Sequence, residues 1–332
     1  MVKSVVTPGI SIIICFYNTG EKIIPTLEHI TRLNTNGISG LELILVNNCS
    51  TDNTPELIHE TLKNEHTIPW KIVNESKPGL TNARLKGINE ASFDLLLFCD
   101  DDNQLSEDYL VIGSEILHSN DKIAVLGGKG IPVSTVDIPE WFEKEQIFYA
   151  CGPQFTQTGR VIGSRNVVYG AGMFVRSKYW QEICERGFLP ISSDRQGGAL
   201  SSGGDSEMCL AFQIAGYHIW YDDRLIFQHF IEPRRLTVAY LIELKKGMST
   251  SRFFTRYYLD FLIGKHITVS SHFWFKELVY VIKDFILNIF RLNFNDVNRQ
   301  VTFIKLLLTK RGDYDKKVSE ILGVCEKLRK HG

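Results

Sequence analysis

The cysteines of the sequence form no disulfide or zinc pattern. Seven cysteines are scattered over 332 residues, and no two of them form a CxxC pair. An odd number of isolated cysteines argues against a disulfide framework and against a zinc ribbon. The pattern favours a reducing compartment, so we expect the protein in the cytoplasm.

Long apolar stretches are also missing from the sequence. No run approaches the ~18 to 20 uncharged apolar residues of a membrane-spanning helix. The sequence starts MVKSVVTPGISIII, with one lysine and a short apolar run. A signal peptide would need a longer apolar stretch and a small-residue cleavage site. We therefore predict neither a membrane span nor secretion.

Charge is nearly balanced overall but unevenly distributed, with a formal net charge of −1. Residues 1–244 carry 20 Lys+Arg and 30 Asp+Glu, whereas residues 245–332 carry 17 and 8. A nucleic-acid partner has no support in the sequence beyond this basic C-terminal part, and we expect none. The basic C-terminal part can be interpreted in two ways. Its lysines lie on the surfaces of packed helices, or they form a surface that meets an anionic membrane.

The first 128 residues alternate between two patterns of apolar residues. Short continuous apolar runs predict buried strands, and apolar residues at every third or fourth position predict helices. This alternation predicts an α/β fold with a mostly parallel sheet covered by helices. No GxGxxG motif follows the first strand, which argues against a Rossmann dehydrogenase. The predicted strands are residues 10–15, 41–46, 70–73, 94–99 and 123–126.

Three adjacent aspartates, Asp100, Asp101 and Asp102, directly follow the apolar run LLLFC. Neighbouring carboxylates repel one another, which opposes ionising all three. A cation among them would offset this repulsion, and carboxylate oxygens suit Mg²⁺ or Mn²⁺. The alternative is a solvated acidic loop that precedes the next helix.

Polar residues also follow two other predicted strands. Asn18 comes after the first strand and Asn48 after the second. In a sheet of this type, ligands bind beyond the carboxyl ends of the strands. We therefore expect Asn18, Asn48 and the three aspartates to meet in one crevice.

Five stretches of the sequence together resemble a known family. They are SIIICFYN (11–18), LILVNNCSTDNT (43–54), KPGLTNARLKGINEA (77–91), LLLFCDDDN (95–103) and GGDSEMCLAFQIAGYHIWYDDRLIFQHF (203–230). These stretches resemble the family 2 glycosyltransferases and occur in the order in which that family has them. The second stretch is similar to the family's VDDGSTDxT pattern, and the fourth contains its DxD motif. The fifth resembles the family's late acidic segment, in which an aspartate serves as base.

The resemblance implies a GT-A fold, with a mostly parallel Rossmann-like sheet flanked by helices. It implies a catalytic domain over residues 1–240, with a nucleotide-binding half at about 1–128 and an acceptor half at about 129–240. The pattern turns helical beyond that point, and we expect a helical C-terminal extension over residues 241–332. The identity of the transferred sugar is not implied.

The resemblance also implies where a nucleoside-diphosphate sugar binds. Cys15, Tyr17 and Asn18 would lie at its base and ribose, with Tyr17 against the base face, as an aromatic ring permits. A tyrosine packed in the core is the alternative for Tyr17. Asn48 stands where many family members have aspartate, and an amide oxygen accepts from the N3–H of uracil or thymine. We therefore favour a uracil or thymine nucleotide.

Further roles follow for the phosphates and the metal. Arg84 matches the family's GxxxAR pattern and would reach phosphate or base, although an ordinary salt bridge is an equal alternative. Asp101 would contact the ribose, and Asp102 would bind Mn²⁺ or Mg²⁺. Asp100 would support either neighbour or end the strand. In related sequences a histidine near His229 approaches the metal, and a packed histidine is the alternative here.

Asp205 in GGDSE matches the family's catalytic base. The implied reaction is a single in-line displacement with inversion, in which Asp205 deprotonates an acceptor hydroxyl. Similar enzymes act in the assembly of bacterial cell-surface polysaccharides, so we expect a glycan or a lipid-linked acceptor. The protein would then lie in the cytoplasm, with a peripheral position on the inner face of the cytoplasmic membrane as a further expectation.

Two other functions fit parts of the sequence. A haloacid-dehalogenase-like phosphohydrolase also has an Asp-x-Asp after a strand, but position 104 is Gln where Thr or Val is expected. A non-catalytic sugar-nucleotide-binding protein is the second alternative, and the presence of both Asp102 and Asp205 argues against it.

The predicted extension contains an unusually apolar segment, residues 272–294. Its polar or tyrosine positions recur every three or four residues and form one stripe of a helix. Either this helix packs on the catalytic domain with its apolar face buried, or it lies on an anionic membrane surface. The stripe consists of Lys276, Tyr280, Lys283, Asp284, Asn288 and Arg291.

Overall fold

The structure is a computed structural model of an α/β protein. Its sheet has an apolar core on each face, because alternate residues of a strand point to opposite sides. Ile13 and Phe98 belong to one core, and Ile12 and Leu97 belong to the other. The structure describes residues 8–163, 166–192, 194, 200, 202–270, 272–290, 294–309 and 312–330.

Nine strands form one sheet in the described part of the chain. All five strands predicted in the first half are present, and each begins within one residue of its predicted start. Four of them also end within one residue of the predicted end; the end of β6 is the exception described below, and β5 was not predicted. The strands are β1 (Ile10–Phe16), β2 (Leu41–Asn47), β3 (Trp70–Asn74), β4 (Leu95–Asp100), β5 (Asn103–Leu105), β6 (Ile123–Val133), β7 (Gly159–Arg160), β8 (Met173–Arg176) and β9 (His218–Phe230).

The predicted α/β class with a mostly parallel sheet is confirmed. The sheet order is β3-β2-β1-β4-β8-β6-β9-β5, with β7 beside β9. The first four strands in this order are parallel to one another, and β6 is parallel to β9. Among the described strands, antiparallel pairs are confined to β5, β7 and β8 with their neighbours.

Strand β6 is longer than predicted, and its glycines explain the difference. The sequence prediction ended this strand at Leu126, before GGKG, yet pairing with β9 continues to Val133. A Cβ at Gly128 would lie 2.2 Å from the carbonyl oxygen of Leu225, and a Cβ at Gly130 would lie 2.1 Å from that of Ala150. The glycines therefore permit neighbouring backbone segments to approach closely inside the strand. In the sequence, the same glycines indicate the end of a strand, so the predicted strand is too short.

Helices cover the sheet and form the C-terminal part of the chain. Helices near the end of the chain contribute to the same core as one face of the sheet, for example through Phe253, Val281 and Val318. No helix among the described residues is long and apolar enough to cross a membrane. The helices are α1 (Ile23–Ile30), α2 (Thr54–Leu62), α3 (Leu80–Glu90), α4 (Tyr109–Ser119), α5 (Trp141–Glu145), α6 (Ser177–Glu185), α7 (Gly204–Ile214), α8 (Val238–Leu262), α9 (Phe273–Phe290), α10 (Phe294–Thr309) and α11 (Tyr314–Arg329).

Candidate active site

The loops after β1, β2 and β4 meet at the carboxyl edge of the sheet. The backbone N–H of Asn18 donates to Ser50 Oγ at 3.1 Å, and Asn18 Oδ1 accepts from the N–H of Thr51 at 2.7 Å. Thr19 Oγ1 donates to the carboxylate of Asp101. These bonds join the three strand ends into one edge, so the predicted meeting of their polar residues is confirmed.

Asn48 is buried and holds the loop that leads into α3. Its Nδ2 donates to the carbonyl oxygens of Glu75 at 3.2 Å and Lys77 at 2.8 Å. Its Oδ1 accepts from the N–H of Gly79 at 2.8 Å. Both amide hydrogens are therefore used, whereas Oδ1 keeps a second lone pair for another donor.

Cys15 and Tyr17 lie at the end of β1 and in the loop after it. Burial raises the pKa of the Cys15 thiol to about 12, so this side chain is neutral beside Arg84 and Asp100. Tyr17 is 48% exposed, which leaves much of its ring accessible to a ligand. The core-packed alternative for Tyr17 is therefore wrong.

Arg84 is a buried cation at this edge. Its Nη2 lies 3.5 Å from Asp100 Oδ1, and its guanidinium lies 5.3 Å from the centre of the Phe98 ring. Burial opposes its charge, but the carboxylates of Asp100, Asp194 and Asp205 outweigh burial and raise the pKa of Arg84. Arg84 thus interacts with carboxylates from two separate parts of the chain.

Asp101 and Asp102 are neighbours with different partners. Asp102 Oδ2 lies 3.4 Å from His229 Nε2 and 3.3 Å from Arg235 Nη1. Burial and the charge of Asp102 raise the pKa of Asp101 to about 7. Burial opposes protonation of His229, but Asp102 dominates and raises the pKa of His229 to about 10.

The donor set around Asp102 fits a cation that takes few ligands from the protein. No group of three or more His, Cys, Asp or Glu side chains forms a metal cage within the described residues. Mg²⁺ is commonly held by one or two carboxylates together with substrate phosphates, and Mn²⁺ shares its preference for oxygen ligands. Burial and the charge of Asp102 raise the pKa of Asp101, so a bound cation would favour ionisation of this carboxylate pair. The carboxylate of Asp102 would hold such an ion, and His229 would join it as a ligand on giving up the proton that Asp102 stabilises.

Asp205 lies in the first turn of α7, where the helix dipole favours a carboxylate. Its Oδ2 accepts from the N–H of Gly170 at 2.9 Å, and its Oδ1 accepts from the N–H of Ser206 at 2.7 Å. Each oxygen is therefore held by a backbone donor. The contribution of Asp205 to the raised pKa of Arg84 places it near the strand-end carboxylates.

Asp194 was not predicted from the sequence. It is 3% exposed, and its Oδ1 accepts from the N–H groups of Gly203 and Gly204, both at 2.6 Å. It has a positive φ of 51°. Burial and the charge of Asp205 raise its pKa, while Arg84 opposes this. No motif surrounds Asp194, so only the folded structure reveals its contacts.

Arg235 was also missed, although the sequence gave a signal. It follows the candidate metal histidine in the segment HFIEPRR and is 5% exposed. Besides contacting Asp102, its guanidinium lies 5.7 Å from the ring centre of Tyr240. A pair of arginines five and six residues after His229 could have been singled out as a phosphate-binding candidate.

Glu207 has a structural role beside the site. It is fully buried, and its carboxylate accepts from the N–H of Ile191 at 2.8 Å and of Ser192 at 3.0 Å. The hydroxyl of Tyr258 in α8 also donates to it at 3.2 Å. Burial outweighs these donors and raises the pKa of Glu207 to about 7.

A family model decides between the functions that the sequence left open. The model for glycosyl transferase family 2 matches residues 11–181, just over half of the chain. The chain belongs to glycosyl transferase family 2. This membership rules against the phosphohydrolase alternative, and the enzyme class is that of a glycosyltransferase.

Known proteins similar to this family 2 glycosyltransferase include a polysaccharide synthase and two enzymes of known structure. Poly-beta-1,6-N-acetyl-D-glucosamine synthase of Staphylococcus epidermidis is 31% identical over 121 residues, which are 36% of this chain and 28% of the synthase. S. aureus TarS 1-349 in complex with UDP-GlcNAc has a TM-score of 0.50 at 16% identity, over 97% of this chain and 89% of that one. GalNAc-T7 with UDP, GalNAc and Mn²⁺ has a TM-score of 0.53 at 12% identity, over 76% of this chain and 51% of that one.

The solved structures and the curated relatives support different conclusions. The two solved structures support the GT-A fold, which the sheet and its helices also display. The match to the curated relatives spans little more than a quarter of their length. Family membership and fold are thus established, whereas donor, acceptor, metal and stereochemistry are matters for proposal.

Proposed function

We propose that this glycosyltransferase moves a sugar from a nucleoside-diphosphate donor to an acceptor hydroxyl with inversion. The observation that carries the proposal is the setting of Asp205. Two backbone N–H groups hold its carboxylate, and it shares Arg84 with Asp100 at the edge where the donor would bind. A carboxylate fixed in this way suits a general base, because its oxygens keep lone pairs for an incoming proton.

In the proposed step, Asp205 takes the proton of the acceptor hydroxyl. The oxygen of that hydroxyl forms a bond to the anomeric carbon of the donor sugar. The bond from this carbon to the diphosphate oxygen breaks on the opposite face, and the diphosphate leaves with the electron pair. Attack and departure on opposite faces invert the configuration. A general base typically contributes roughly 10²–10⁴-fold to such a rate.

We assign the base and ribose of the donor to the loops after β1 and β2. The exposed ring of Tyr17 stacks on the base, and the remaining lone pair of Asn48 Oδ1 accepts from the N3–H of uracil or thymine. Cys15 and Asn18 line the same edge, and Asp101 binds the ribose. The UDP-GlcNAc bound to S. aureus TarS supports a uracil nucleotide.

We assign the diphosphate to the region around Asp102. Asp102 and His229 would hold Mn²⁺ or Mg²⁺, and the ion, when bound, neutralises charge on the leaving diphosphate. The buried guanidinium of Arg235 donates to phosphate oxygens from the same side, and Arg84 with Asp100 flanks them. The Mn²⁺ in the GalNAc-T7 structure supports metal dependence.

We place the reaction in the assembly of a bacterial cell-surface polysaccharide or glycan. The name of the S. epidermidis synthase, which concerns poly-beta-1,6-N-acetyl-D-glucosamine, supports this class of product. The acceptor is a growing glycan or a lipid-linked sugar. The enzyme works in the cytoplasm, at the inner face of the cytoplasmic membrane.

Nucleotide binding and turnover test this proposal in two steps. A ligand that binds only the folded state raises the melting temperature, so UDP with Mn²⁺ should raise it more than UDP, GDP or CDP without metal. UDP release from UDP-sugars should then rise when an acceptor glycan is added. Binding without any release would favour the non-catalytic alternative, and no response to any nucleotide would overturn the donor assignment.

A further inference from the structure

Some polar side chains of helix α9 face the neighbouring helices of the protein. Asn288 is 6% exposed and donates to the carbonyl oxygen of Asp284 at 2.9 Å. Gln300 of α10 donates to the carboxylate of Asp284. Glu277 accepts from Arg256 of α8 at 2.5 Å. The polar stripe predicted from the sequence is therefore partly buried, and both acidic side chains of α9 face neighbouring helices.

The opposite side of α9 is apolar and exposed. A surface helix of a soluble protein normally shows the reverse arrangement, with its apolar stripe toward the core. Only part of the apolar surface of α9 is buried, chiefly Phe273, Leu278 and Val281. Eight large apolar or tyrosine side chains of α9 are 39% to 81% exposed, Tyr280 and Leu287 among them. Of the other six, five recur at intervals of three or four and Phe290 adjoins the last of these; the six are Phe275, Val279, Ile282, Ile286, Ile289 and Phe290. We call these six residues the α9 stripe.

The charges beside the α9 stripe are positive. Lys276 and Lys283 are exposed, and each directly follows a residue of the stripe. Neither lysine pairs with a carboxylate among the residues that the structure describes; Lys276 contacts Ser270 Oγ at 3.0 Å. Because Glu277 and Asp284 face inward, the exposed side of α9 combines apolar groups with positive charge only. This combination complements a surface in which anionic groups lie above an apolar layer.

We propose that the α9 stripe docks on the surface of an anionic lipid membrane. A helix lying in the interface buries its apolar side about 5–10 Å into the boundary between headgroups and acyl chains. Lys276 and Lys283 then lie at the level of the anionic headgroups. The basic balance of residues 245–332, with 17 Lys+Arg against 8 Asp+Glu, adds longer-range attraction.

Membrane docking also bears on the acceptor, and this part of the inference rests on the proposed function. An enzyme held at the bilayer surface meets a lipid-linked acceptor in two dimensions instead of three, which raises its effective concentration. Docking itself requires neither donor nor catalysis. Binding to vesicles and turnover are therefore measured separately, so that failure of one does not imply failure of the other.

Flotation with vesicles tests the docking directly. The full chain is mixed, without any sugar nucleotide, with vesicles of phosphatidylglycerol and phosphatidylcholine or of phosphatidylcholine alone. We expect it to float with the anionic vesicles at about 0.1 M salt and to be released towards 1 M salt, where screening is stronger. A chain that stays in the soluble fraction with both vesicle types would overturn the proposal.

Two sets of variants separate the contributions of apolar groups and charge. Val279→Asp with Ile286→Asp places charge in the stripe at positions that are 53% and 47% exposed, and should abolish flotation. Lys276→Gln with Lys283→Gln should weaken binding to anionic vesicles by roughly fivefold for each lysine. Val136→Asp, at a position 49% exposed between β6 and α5, is the matched control and should float normally.

The variant results also distinguish a membrane from a second copy of the chain. Analytical ultracentrifugation without lipid should show the same mass for the wild type and the Val279→Asp, Ile286→Asp variant. A wild-type dimer that this variant converts to a monomer would assign the stripe to self-association and overturn the proposal. Wild-type flotation of the same variant would also overturn it, whereas unchanged UDP release in bulk solution would show that the fold is intact.

Discussion

Two groups of carboxylates meet at this site, and they are held in different ways. At the end of β4, Asp100 contacts Arg84, and Asp102 contacts His229 and Arg235. At the start of α7, the carboxylate of Asp205 is held by backbone N–H groups from two separate segments. Side chains therefore hold the first group and the main chain holds the second.

The difference indicates which group changes partners during a reaction cycle. A guanidinium or an imidazole can rotate away when a phosphate or a metal arrives, whereas an N–H of a packed loop or helix cannot. The strand-end carboxylates thus suit an exchangeable binding site, and the helix-start carboxylate suits a fixed base. Arg84 belongs to both groups, since Asp100 and Asp205 both raise its pKa.

The largest expected effect follows from replacing Asp205, the proposed base. Asp205→Asn keeps the shape of the side chain and one acceptor oxygen but no longer takes a proton. We expect the rate of transfer to fall by roughly 10²–10⁴-fold, with donor affinity nearly unchanged. Single-turnover kinetics and calorimetry with UDP would separate the two quantities. A rate above about one tenth of wild type would exclude Asp205 as the base.

The second prediction concerns Glu207 and the pH dependence of stability. The pKa of this carboxyl is about 7 in the folded protein, raised by burial from 4.5. Between these values the folded state binds more protons, so the stabilisation is complete below about pH 4.5 and is lost as pH rises through 7. The loss amounts to about 3 kcal/mol of unfolding free energy.

Glu207→Gln tests this directly, because glutamine does not titrate. Urea unfolding of both proteins at pH 5 and pH 8 should show a decline for the wild type that the variant largely lacks. Like Asp205, Glu207 accepts from backbone N–H groups, those of Ile191 and Ser192. The measurement therefore adds a second carboxylate held by the main chain to the comparison. Parallel pH profiles for the two proteins would show that burial does not dominate at this position.

The carboxylates of both groups were predicted as site residues from the sequence, whereas several residues that interact with them were not. Asp100, Asp101 and Asp102 follow an apolar run, and a parallel sheet brings such strand ends together. Asp194 and Arg235 were missed because their partners are distant in the chain; Arg235 contacts a carboxylate 133 positions away. Backbone N–H donors leave no trace in a sequence pattern.

Helix α9 shows the same limit of prediction from sequence. Its apolar and polar periodicity was visible and correctly predicted a helix, which the structure confirms over Phe273–Phe290. Periodicity does not state which side faces the protein, and the buried Asn288 reverses the usual choice. Arg291, the last residue of the predicted polar stripe, lies outside the described residues. The boundary between catalytic domain and extension at residue 240 stays a prediction.

The third prediction concerns the exchangeable group. Asp102→Asn removes the charge that pairs with His229 and Arg235. We expect the affinity for UDP in the presence of Mn²⁺ to fall tenfold to a hundredfold, by analogy with other changes around metal ligands, while the metal-free affinity changes little. Calorimetry with and without Mn²⁺ measures both. Asp137→Asn, at an exposed loop position, is the control. Equal Mn²⁺ dependence in Asp102→Asn and wild type would remove Asp102 as a ligand.

The smallest expected effect tests whether Arg84 joins the two groups. Residues that interact show coupling energies of about 0.5–3 kcal/mol in a double-mutant cycle, whereas independent residues add within about 0.5 kcal/mol. Arg84 interacts electrostatically with Asp205, whereas Asp102 contacts His229 and Arg235. Unfolding free energies of Arg84→Met, combined with Asp205→Asn or with Asp102→Asn, measure both couplings.

We expect a coupling of about 1 kcal/mol between Arg84 and Asp205, and additivity between Arg84 and Asp102. The sign should be such that Arg84→Met costs less once Asp205 is neutral, because fewer buried carboxylates are then left without a cation. Equal coupling to both aspartates would mean that all the carboxylates form one network. Side-chain and main-chain support would then no longer distinguish an exchangeable site from a fixed base.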